Sequence, residues 1–251
     1  MAILVVFKDN FVPQVKEPTK KSKEIVSLPN TFSSLITKKN TKEDYANILK
    51  INPASHHIDI ANHKIKIEYN YADPSNYGDR VQSINGKVLT NKALFVLHET
   101  VISANETIKK FKTYHLKDED QASYHILIRT DGSIVWLVPF EKRAYGAGDS
   151  AFNGESVQTN PKIKPSVNNF AYHLALETPP DGKNENFIHS GYTDSQYQSL
   201  ALFISVYVKS NQLLPSRIVT HKEIDLSKTR TDPRSFDQEQ FNKLLRSYTY
   251  K

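Results

Sequence analysis

The sequence predicts an α/β protein of the mixed α+β kind, in which helices flank a single central mixed β-sheet. Two observations predict this class. Short apolar or alternating runs, typical of strands, intermix along the chain with longer amphipathic segments, and several of those segments open with a capping box. Of the 251 residues, 38% are apolar and 10% aromatic, which is enough to bury a core and excludes a wholly disordered chain.

The strand candidates share apolar runs bounded by turn residues. They are 63–71, which alternates apolar and polar residues, the nearly continuous apolar runs 93–97 and 171–178, the hairpin 123–138 with Asp-Gly in its turn, and the short run 217–221. Continuous apolar runs are typical of strands that are covered on both faces. We therefore expect some of these strands to lie in the middle of the sheet.

Three segments predict helices. Ser103 and Glu106 form a capping box that opens the helix predicted over 103–115, and Thr193 with Gln196 opens a second over 193–210. A final helix is predicted over 237–248. The stretch 139–170 between them is rich in Gly, Ser, Asn and Pro and predicts a long loop, a feature that in compact domains is often functional.

Residues 1–62 differ from the rest of the chain. They are rich in Lys, Ser, Thr, Asn and Pro, and they predict a partly ordered extension or linker with one short helix at 41–50. The formal net charge is +6, and the first 50 residues hold nine Lys against five acidic residues. Such a segment is typical of a solvated tail, and weak adhesion to anionic polymers is the alternative interpretation.

The absence of Cys limits the possible chemistry. It excludes disulfides and thiolate metal sites, so a zinc site has to be built from His and carboxylate side chains. The first residues show neither the positive start nor the long apolar run of a signal peptide. The sequence contains no run of 18 apolar residues, which is the length that would predict a transmembrane segment.

Three polar residues stand at the ends of predicted strands. His98 directly follows the run 93–97, and His221 follows Arg-Ile-Val-Thr in the same way. Asp232 comes eleven residues later and precedes Pro233, which restricts it to extended geometry. Two His and one carboxylate are an accepted catalytic zinc set. The spacing alone is weak support, and three unrelated polar residues at strand ends remain the alternative.

Five sequence segments in a fixed order add a resemblance to a known family. They are FVLHET, SYHILIRTDGSIVWLVPFEKRAYGAG, NNFAYHLALET, TDSQYQSL, and IVTH followed by RTDPRSFD. Together they resemble the type 2 N-acetylmuramoyl-L-alanine amidase domain, which shares its fold with peptidoglycan recognition proteins, in a variant associated with cyanobacteria. The resemblance covers roughly residues 92–246. It implies a zinc-dependent hydrolase that cuts the amide bond between N-acetylmuramic acid and L-alanine, with its catalytic domain at 63–251.

The resemblance also implies roles for individual residues. His98, His221 and Asp232 match the family's zinc ligands, and Tyr124 matches a Tyr that lies beside the metal. A phenol there would donate a hydrogen bond to a developing oxyanion. The alternative is that Tyr124 is a half-buried strand residue. His125 would point to the other face of the strand, and we interpret it as a core residue.

Two positions depart from the family pattern. Ala175 stands where many members have a Glu that shuttles protons, and Glu177 lies one pleat further along the same strand face. Three interpretations of Glu177 stay open: a replacement shuttle, a group that orients a metal ligand, or a surface carboxylate. Arg230 stands where many members have Lys, and because Arg stays protonated it would stabilise an oxyanion without moving protons. Arg143 is interpreted as a substrate-groove residue or as a surface ion pair.

The predicted partner is peptidoglycan or a soluble muropeptide, bound by a monomer in the cell envelope, either periplasmic or secreted. A non-catalytic wall-binding module on the same fold is the alternative, and the departures at 175 and 230 keep it open. Binding to nucleic acid or another anionic polymer rests only on the sequence pI of about 9.2. Because no recognition motif accompanies that charge, we rank it last and expect no specific nucleic acid partner.

Overall fold

The computed structural model describes residues 56–60, 63–184 and 186–250. The strands are β1 His56–Ile60, β2 His63–Tyr69, β3 Tyr77–Asp79, β4 Leu94–Glu99, β5 Ile126–Ile128, β6 Ile134–Trp136, β7 Lys142–Ala144, β8 Ala171–Leu176 and β9 Ile218–Thr220. The helices are α1 Ala104–Lys112, α2 Asp194–Lys209, α3 His221–Ile224 and α4 Gln238–Thr249. The helix predicted at 41–50 lies outside the described residues.

Seven strands form one mixed sheet in the order β1-β2-β6-β5-β8-β4-β9. The pairs β1–β2 and β6–β5 are antiparallel, and β2–β6, β5–β8, β8–β4 and β4–β9 are parallel. The predicted central mixed sheet is therefore confirmed, and β3 pairs with β7 in a separate two-stranded sheet beside it. The nearly continuous apolar runs became β4 and β8, which lie inside the sheet with partners on both sides.

The hairpin β1–β2 crosses the domain boundary that the sequence predicts. His56 pairs with Ile67 and Ile60 pairs with His63, so residues on both sides of position 62 belong to one sheet. The sheet thus begins at least seven residues before the predicted start of the domain at residue 63. The division of the chain into an extension and a catalytic domain stays a prediction.

Helices cover both faces of the sheet. On one face, α2 and α4 pack against alternate residues such as Phe95 and Leu97 of β4. On the other face, α1 packs near Leu127 and Ala175, and the segment 147–170 covers Leu94 and Val96. The predicted capping boxes of Ser103 and Thr193 are both present at the starts of α1 and α2. The predicted three-helix arrangement is confirmed, with the four-residue α3 added.

The edge at which parallel strands end is the part of the fold that positions the polar residues. The neighbouring strands β5, β8, β4 and β9 run in the same direction, so their carboxyl ends meet at one edge. Ligand sites of open α/β sheets commonly lie outside this edge. In the described ranges, no helix is long and apolar enough to cross a membrane.

Candidate metal centre and cleft

His98 and His221 are brought side by side by the pairing of β4 with β9. Leu97 pairs with Thr220, so the residues that follow, His98 in β4 and His221 at the start of α3, stand at the same level of the sheet edge. Their ring centroids are 4.6 Å apart. Both side chains are buried, His98 completely. The 123 residues that separate them in the sequence therefore do not separate them in space.

Asp232 completes the group. Its Oδ2 atom lies 3.1 Å from the Nδ1 atom of His98, and its Oδ1 atom lies 2.9 Å from the Nδ1 atom of His221. One ligand atom from each of the three residues lies within 4.8 Å of the others. The carbonyl oxygen of Asp232 also accepts a hydrogen bond from the backbone N–H of Lys222, which ties the Asp232 loop to α3.

The surroundings favour a neutral imidazole at His98 next to an ionised carboxylate at Asp232. Burial lowers the pKa of His98 to about 4. Burial raises the pKa of Asp232, but hydrogen bonds from His221 and His98 outweigh it and hold that pKa below its usual range. Neutral imidazole nitrogens and a carboxylate oxygen are the donor set that zinc accepts at catalytic sites, where a fourth position stays open. The residues present therefore fit a zinc ion.

This group opens into a cleft of about 1170 Å³. The ring of Tyr124 lines the cleft and stacks on His98 with centroids 4.8 Å apart. Burial raises the pKa of Tyr124, so the phenol keeps its proton at neutral pH and remains a hydrogen-bond donor. His125, the next residue, is fully buried, as predicted for a core residue, and accepts a hydrogen bond from the backbone N–H of His173.

Arg230 and Arg143 line the same cleft, as does Arg234. Arg230 is exposed, and its charge is near enough to act on both His98 and Tyr124. Arg143 is half-buried, donates a hydrogen bond of 2.6 Å to the hydroxyl of Thr159, and lies over the ring of Tyr145. The described contacts of Arg143 include no acidic partner. They favour the groove interpretation over the surface ion pair.

Asp225 holds the loop that carries Arg230 and leads to Asp232, and sequence reasoning had missed it. Its Oδ2 atom accepts the backbone N–H groups of Thr229 and Arg230 at 2.8 and 2.9 Å, and its Oδ1 atom accepts from Ser227. Asp225 is buried at 4% exposure. Asp followed by Ser and Thr is a common loop-stabilising pattern, and this local signal was present in the sequence.

Glu177 lies outside this cleft lining, and its contacts favour a structural carboxylate over the proton shuttle among the three interpretations. One of its oxygens accepts the backbone N–H of Ala104 at 2.8 Å, and the other accepts that of Thr130 at 3.1 Å. Ala104 is the first residue of α1, where unpaired N–H groups and the helix dipole favour a carboxylate. Glu177 is not among the residues that line the cleft. Its contacts give it a structural role at the start of α1.

His173 is a second residue that sequence reasoning left without a partner. It lies in β8, and its Nδ1 atom is 2.9 Å from the Nε2 atom of His98. Strand alternation places His173 on the same face as Ala175, which pairs with His98. The signal was therefore in the sequence, but it becomes readable only when β8 is known to lie beside β4.

Comparison with known proteins gives a match over the same region. The profile of the N-acetylmuramoyl-L-alanine amidase family called Amidase_2 matches residues 90–235. The chain is 32% identical over 132 residues to the 1,6-anhydro-N-acetylmuramyl-L-alanine amidase AmpD of Citrobacter freundii, and 32% identical over 130 residues to that of Escherichia coli. These alignments cover 52% and 51% of this chain and 61% of the length of each relative.

A solved structure is similar as well. The crystal structure of a selenomethionine derivative of AmpD superposes with a TM-score of 0.50 and 27% sequence identity. The superposition covers 70% of this chain and 94% of the AmpD chain. The similarity therefore extends over nearly all of the compared protein, and it leaves part of this chain without a counterpart.

Proposed function

Since this chain belongs to the N-acetylmuramoyl-L-alanine amidase family, we propose that it hydrolyses the amide bond between N-acetylmuramic acid and L-alanine. We propose that His98, His221 and Asp232 hold the zinc ion that this chemistry needs. The observation that carries the proposal is the convergence of three ligand atoms within 4.8 Å at the base of an open cleft. A bound zinc ion would supply a Lewis acid for the carbonyl and make water more acidic.

The side chains around the trio support hydrolysis. The Tyr124 phenol keeps its proton and donates a hydrogen bond to the carbonyl oxygen as negative charge develops there. Arg230 adds a positive charge at the same end of the cleft and, as an Arg, holds its proton throughout the reaction. These two residues stabilise charge, and neither removes a proton from water.

Proton transfer by β8 is not part of the proposal. Ala175 stands at the position where many family members have Glu, and its methyl group is fully buried among apolar residues. Glu177 uses one oxygen at the start of α1 and the other on the backbone N–H of Thr130, in the turn between β5 and β6. We therefore propose that the proton of the attacking water passes to solvent in the open cleft, and that the leaving L-alanine nitrogen takes a proton from solvent.

The proposed substrate is peptidoglycan or a muropeptide released from it. The relatives named as 1,6-anhydro-N-acetylmuramyl-L-alanine amidases support a soluble muropeptide. Arg143, Arg230, Lys110 and Lys164 line the cleft and would complement the carboxylates of a stem peptide. Of these, Arg143 is proposed as the substrate-binding residue, because Thr159 and Tyr145 hold it in place. Either substrate belongs to wall turnover, in keeping with a role in the cell envelope.

A defined muropeptide and purified wall sacculi provide the test. The protein is incubated with each, with zinc, with a chelator, and with zinc added back, and product masses are measured. We expect a free lactyl carboxylate and a new L-alanine amino terminus, lost with chelator and restored by zinc. Cleavage at another bond, or activity that persists in the presence of the chelator, contradicts the proposal. Comparing the rates on the two substrates decides between polymer and soluble fragment.

A second candidate is a muropeptide-binding module that does not cut. Ala175 is the observation that favours it, because the family's usual proton shuttle is absent there. This candidate predicts tight binding of the intact muropeptide by the zinc-loaded protein, with no product after long incubation.

A further inference from the structure

We propose that His173 is a positioning residue for the metal centre, holding His98 in the tautomer that leaves its Nδ1 atom free to bind the metal. The inference deepens the proposed function and rests on its metal trio. His173 is not a metal ligand in this proposal and does not contact substrate. It acts through one hydrogen bond on the far side of the His98 ring.

The two rings are in direct contact. The Nδ1 atom of His173 lies 2.9 Å from the Nε2 atom of His98, and both side chains are fully buried. In the described part of the chain, the Nε2 atom of His98 has this one hydrogen-bond partner. The other nitrogen of His98, Nδ1, faces the Oδ2 atom of Asp232 at 3.1 Å. His98 therefore spans the two neighbours, with one ring nitrogen toward each.

A neutral imidazole has a single N–H, and this fixes the direction of the contact. If Nδ1 of His98 offers its lone pair to a metal, the proton has to be on Nε2. The Nε2–H group then donates to Nδ1 of His173, which accepts with its own lone pair. His173 consequently carries its proton on its own Nε2 atom, which is buried and has no hydrogen-bond partner within the described residues.

The Nε2 atom of His173 thus remains buried without a hydrogen-bond partner among the described residues. A buried polar atom without a partner is destabilising, and such atoms are uncommon in folded proteins. Without metal, the opposite tautomers are available: His98 donates from Nδ1 to Asp232, and His173 donates from Nδ1 to His98. Metal binding would therefore switch the tautomers of both rings, a change that can be observed.

The surroundings of His173 keep its ring in place. Its backbone N–H donates to the Nδ1 atom of His125 at 3.0 Å, and its carbonyl oxygen accepts the backbone N–H of His125 at 2.9 Å. Gly146 lies against the ring, and a Cβ atom at position 146 would collide with it.

Hydrogen-bond partners of metal-ligating histidines influence metal affinity in other proteins. A ligating His commonly donates its second N–H to a carboxylate, carbonyl or water, and loss of that partner typically weakens metal binding about 10- to 100-fold. Here Ala175, the residue opposite His98 on β8, offers no polar group. A histidine two residues earlier on the same strand face takes this function instead.

Zinc affinity measured by competition with a coloured chelator tests the inference. His173→Leu replaces the ring with an apolar side chain of similar volume that cannot accept a hydrogen bond. We expect it to raise the zinc Kd about 10- to 100-fold. His173→Asn keeps an acceptor near the position of Nδ1 and is expected to bind zinc more tightly than the Leu variant. Gly146→Ala, which displaces the ring without changing a ligand, is expected to weaken zinc binding too. Thermal unfolding of each metal-free variant is measured in parallel.

His115→Leu is the matched control. Its Nδ1 atom also bonds to a side chain, Oδ1 of Asn76 at 2.9 Å, but His115 does not line the cleft. We expect it to leave the zinc Kd unchanged. Nitrogen-15 NMR of the imidazoles supplies an independent readout: on addition of zinc to the unchanged protein, the proton of His98 should be found on Nε2.

Two results would overturn the inference alone. One is a His173→Leu variant that loses metal-free stability but binds zinc as tightly as the unchanged protein. The other is a zinc-loaded protein in which His98 carries its proton on Nδ1. If the unchanged protein binds no zinc at all, both the proposed function and this inference fail, so the two failures are distinguishable.

Discussion

The two faces of the sheet at the end of β4 carry two buried polar clusters of different kinds. His98 and Glu99 are consecutive, so they point to opposite faces. On one face, His98 meets His221 and Asp232. On the other, Glu99 meets Arg234, whose Nε atom lies 2.6 Å from Oε1 and whose Nη2 atom lies 3.2 Å from Oε2. Both clusters are removed from water.

They differ in how donors and acceptors balance. Glu99 also accepts from the hydroxyls of Thr178 and Tyr192, and Arg234 donates to the carbonyl oxygens of Gly182 and Asn184. Both oxygens of Glu99 thus have hydrogen-bond donors, as a buried ion pair needs, and the Nε2 atom of His189 lies 3.3 Å from Oε2. The His98 cluster instead turns three lone-pair atoms toward one point. Burial and charge are common to both clusters, and the His98 cluster has the donor set that fits the proposed zinc ion.

The largest effect is expected from removing a ligand. His221→Ala should abolish both zinc retention and activity, and should exceed the roughly 10- to 100-fold loss typical of a partner outside the ligand set. Metal content and muropeptide turnover are measured on the same sample. A His221→Ala variant that keeps zinc and activity would show that the trio is not the metal site.

Disrupting the cluster of Glu99 and Arg234 should lower the free energy of unfolding. Arg234→Ala leaves the Glu99 carboxylate buried without its main partner, which typically costs about 3–5 kcal/mol. Denaturant unfolding of the metal-free protein measures it. Adding Glu99→Gln to Arg234→Ala removes the stranded charge, so the double variant should recover part of the loss. Equal instability of the single and double variants would mean that the charge is not what Arg234 stabilises.

Local patterns were enough to predict most of the elements. The apolar run that became β4, the Asp-Gly hairpin of β5 and β6, and the capping boxes at Ser103 and Thr193 each depend on neighbouring residues. The pairing of β3 with β7 joins short segments of 3 residues that have no strand-like pattern. Such pairings follow from tertiary structure, which propensity does not encode.

The same limit applies to the candidate site: residues in sequence motifs were predicted, whereas contacts between distant segments were not. The three residues of the metal trio follow from the family motifs, and the structure brings them together. Strand alternation placed Glu177 on the metal-bearing face but could not give its contacts, because β8 ends at Leu176. There the carboxylate meets the start of α1, a contact between segments 73 residues apart. His173 was missed for the same reason: its partner lies on another strand.

Tyr124 tests the catalytic side of the metal cluster. Tyr124→Phe keeps the ring that stacks on His98 and removes only the hydroxyl. Loss of one oxyanion donor typically costs about a hundredfold in kcat, and we expect a decrease of this order with an unchanged zinc Kd. Equal kcat values for the variant and the parent would make Tyr124 a packing residue.

Arg230 should contribute less, because it is exposed and its charge is screened by salt. Arg230→Lys keeps the charge and should be mild, whereas Arg230→Ala should lower kcat/KM by several-fold more. The difference between the two variants should shrink as salt is added. A salt-independent difference would point to a geometric role of the guanidinium in place of a charge effect.

The smallest effect on turnover is expected from Glu177, which lies on the metal-bearing face of the sheet but outside the cleft. Glu177→Gln keeps the shape of the side chain and an amide oxygen able to accept from one of the two backbone N–H groups, those of Ala104 and Thr130. It removes the negative charge at the start of α1, so we expect a stability loss of about 1 kcal/mol. Loss of a proton shuttle would instead lower the rate about a hundred- to ten-thousandfold.

Glu106→Gln, at the exposed capping box of the same helix, is the control, because it changes the same charge type at α1 without any contact to β8. Similar small stability losses in both variants, with kcat and zinc affinity retained, place Glu177 with the structural carboxylates. A large loss of kcat in the Glu177 variant alone, at full zinc occupancy, would return it to the reaction.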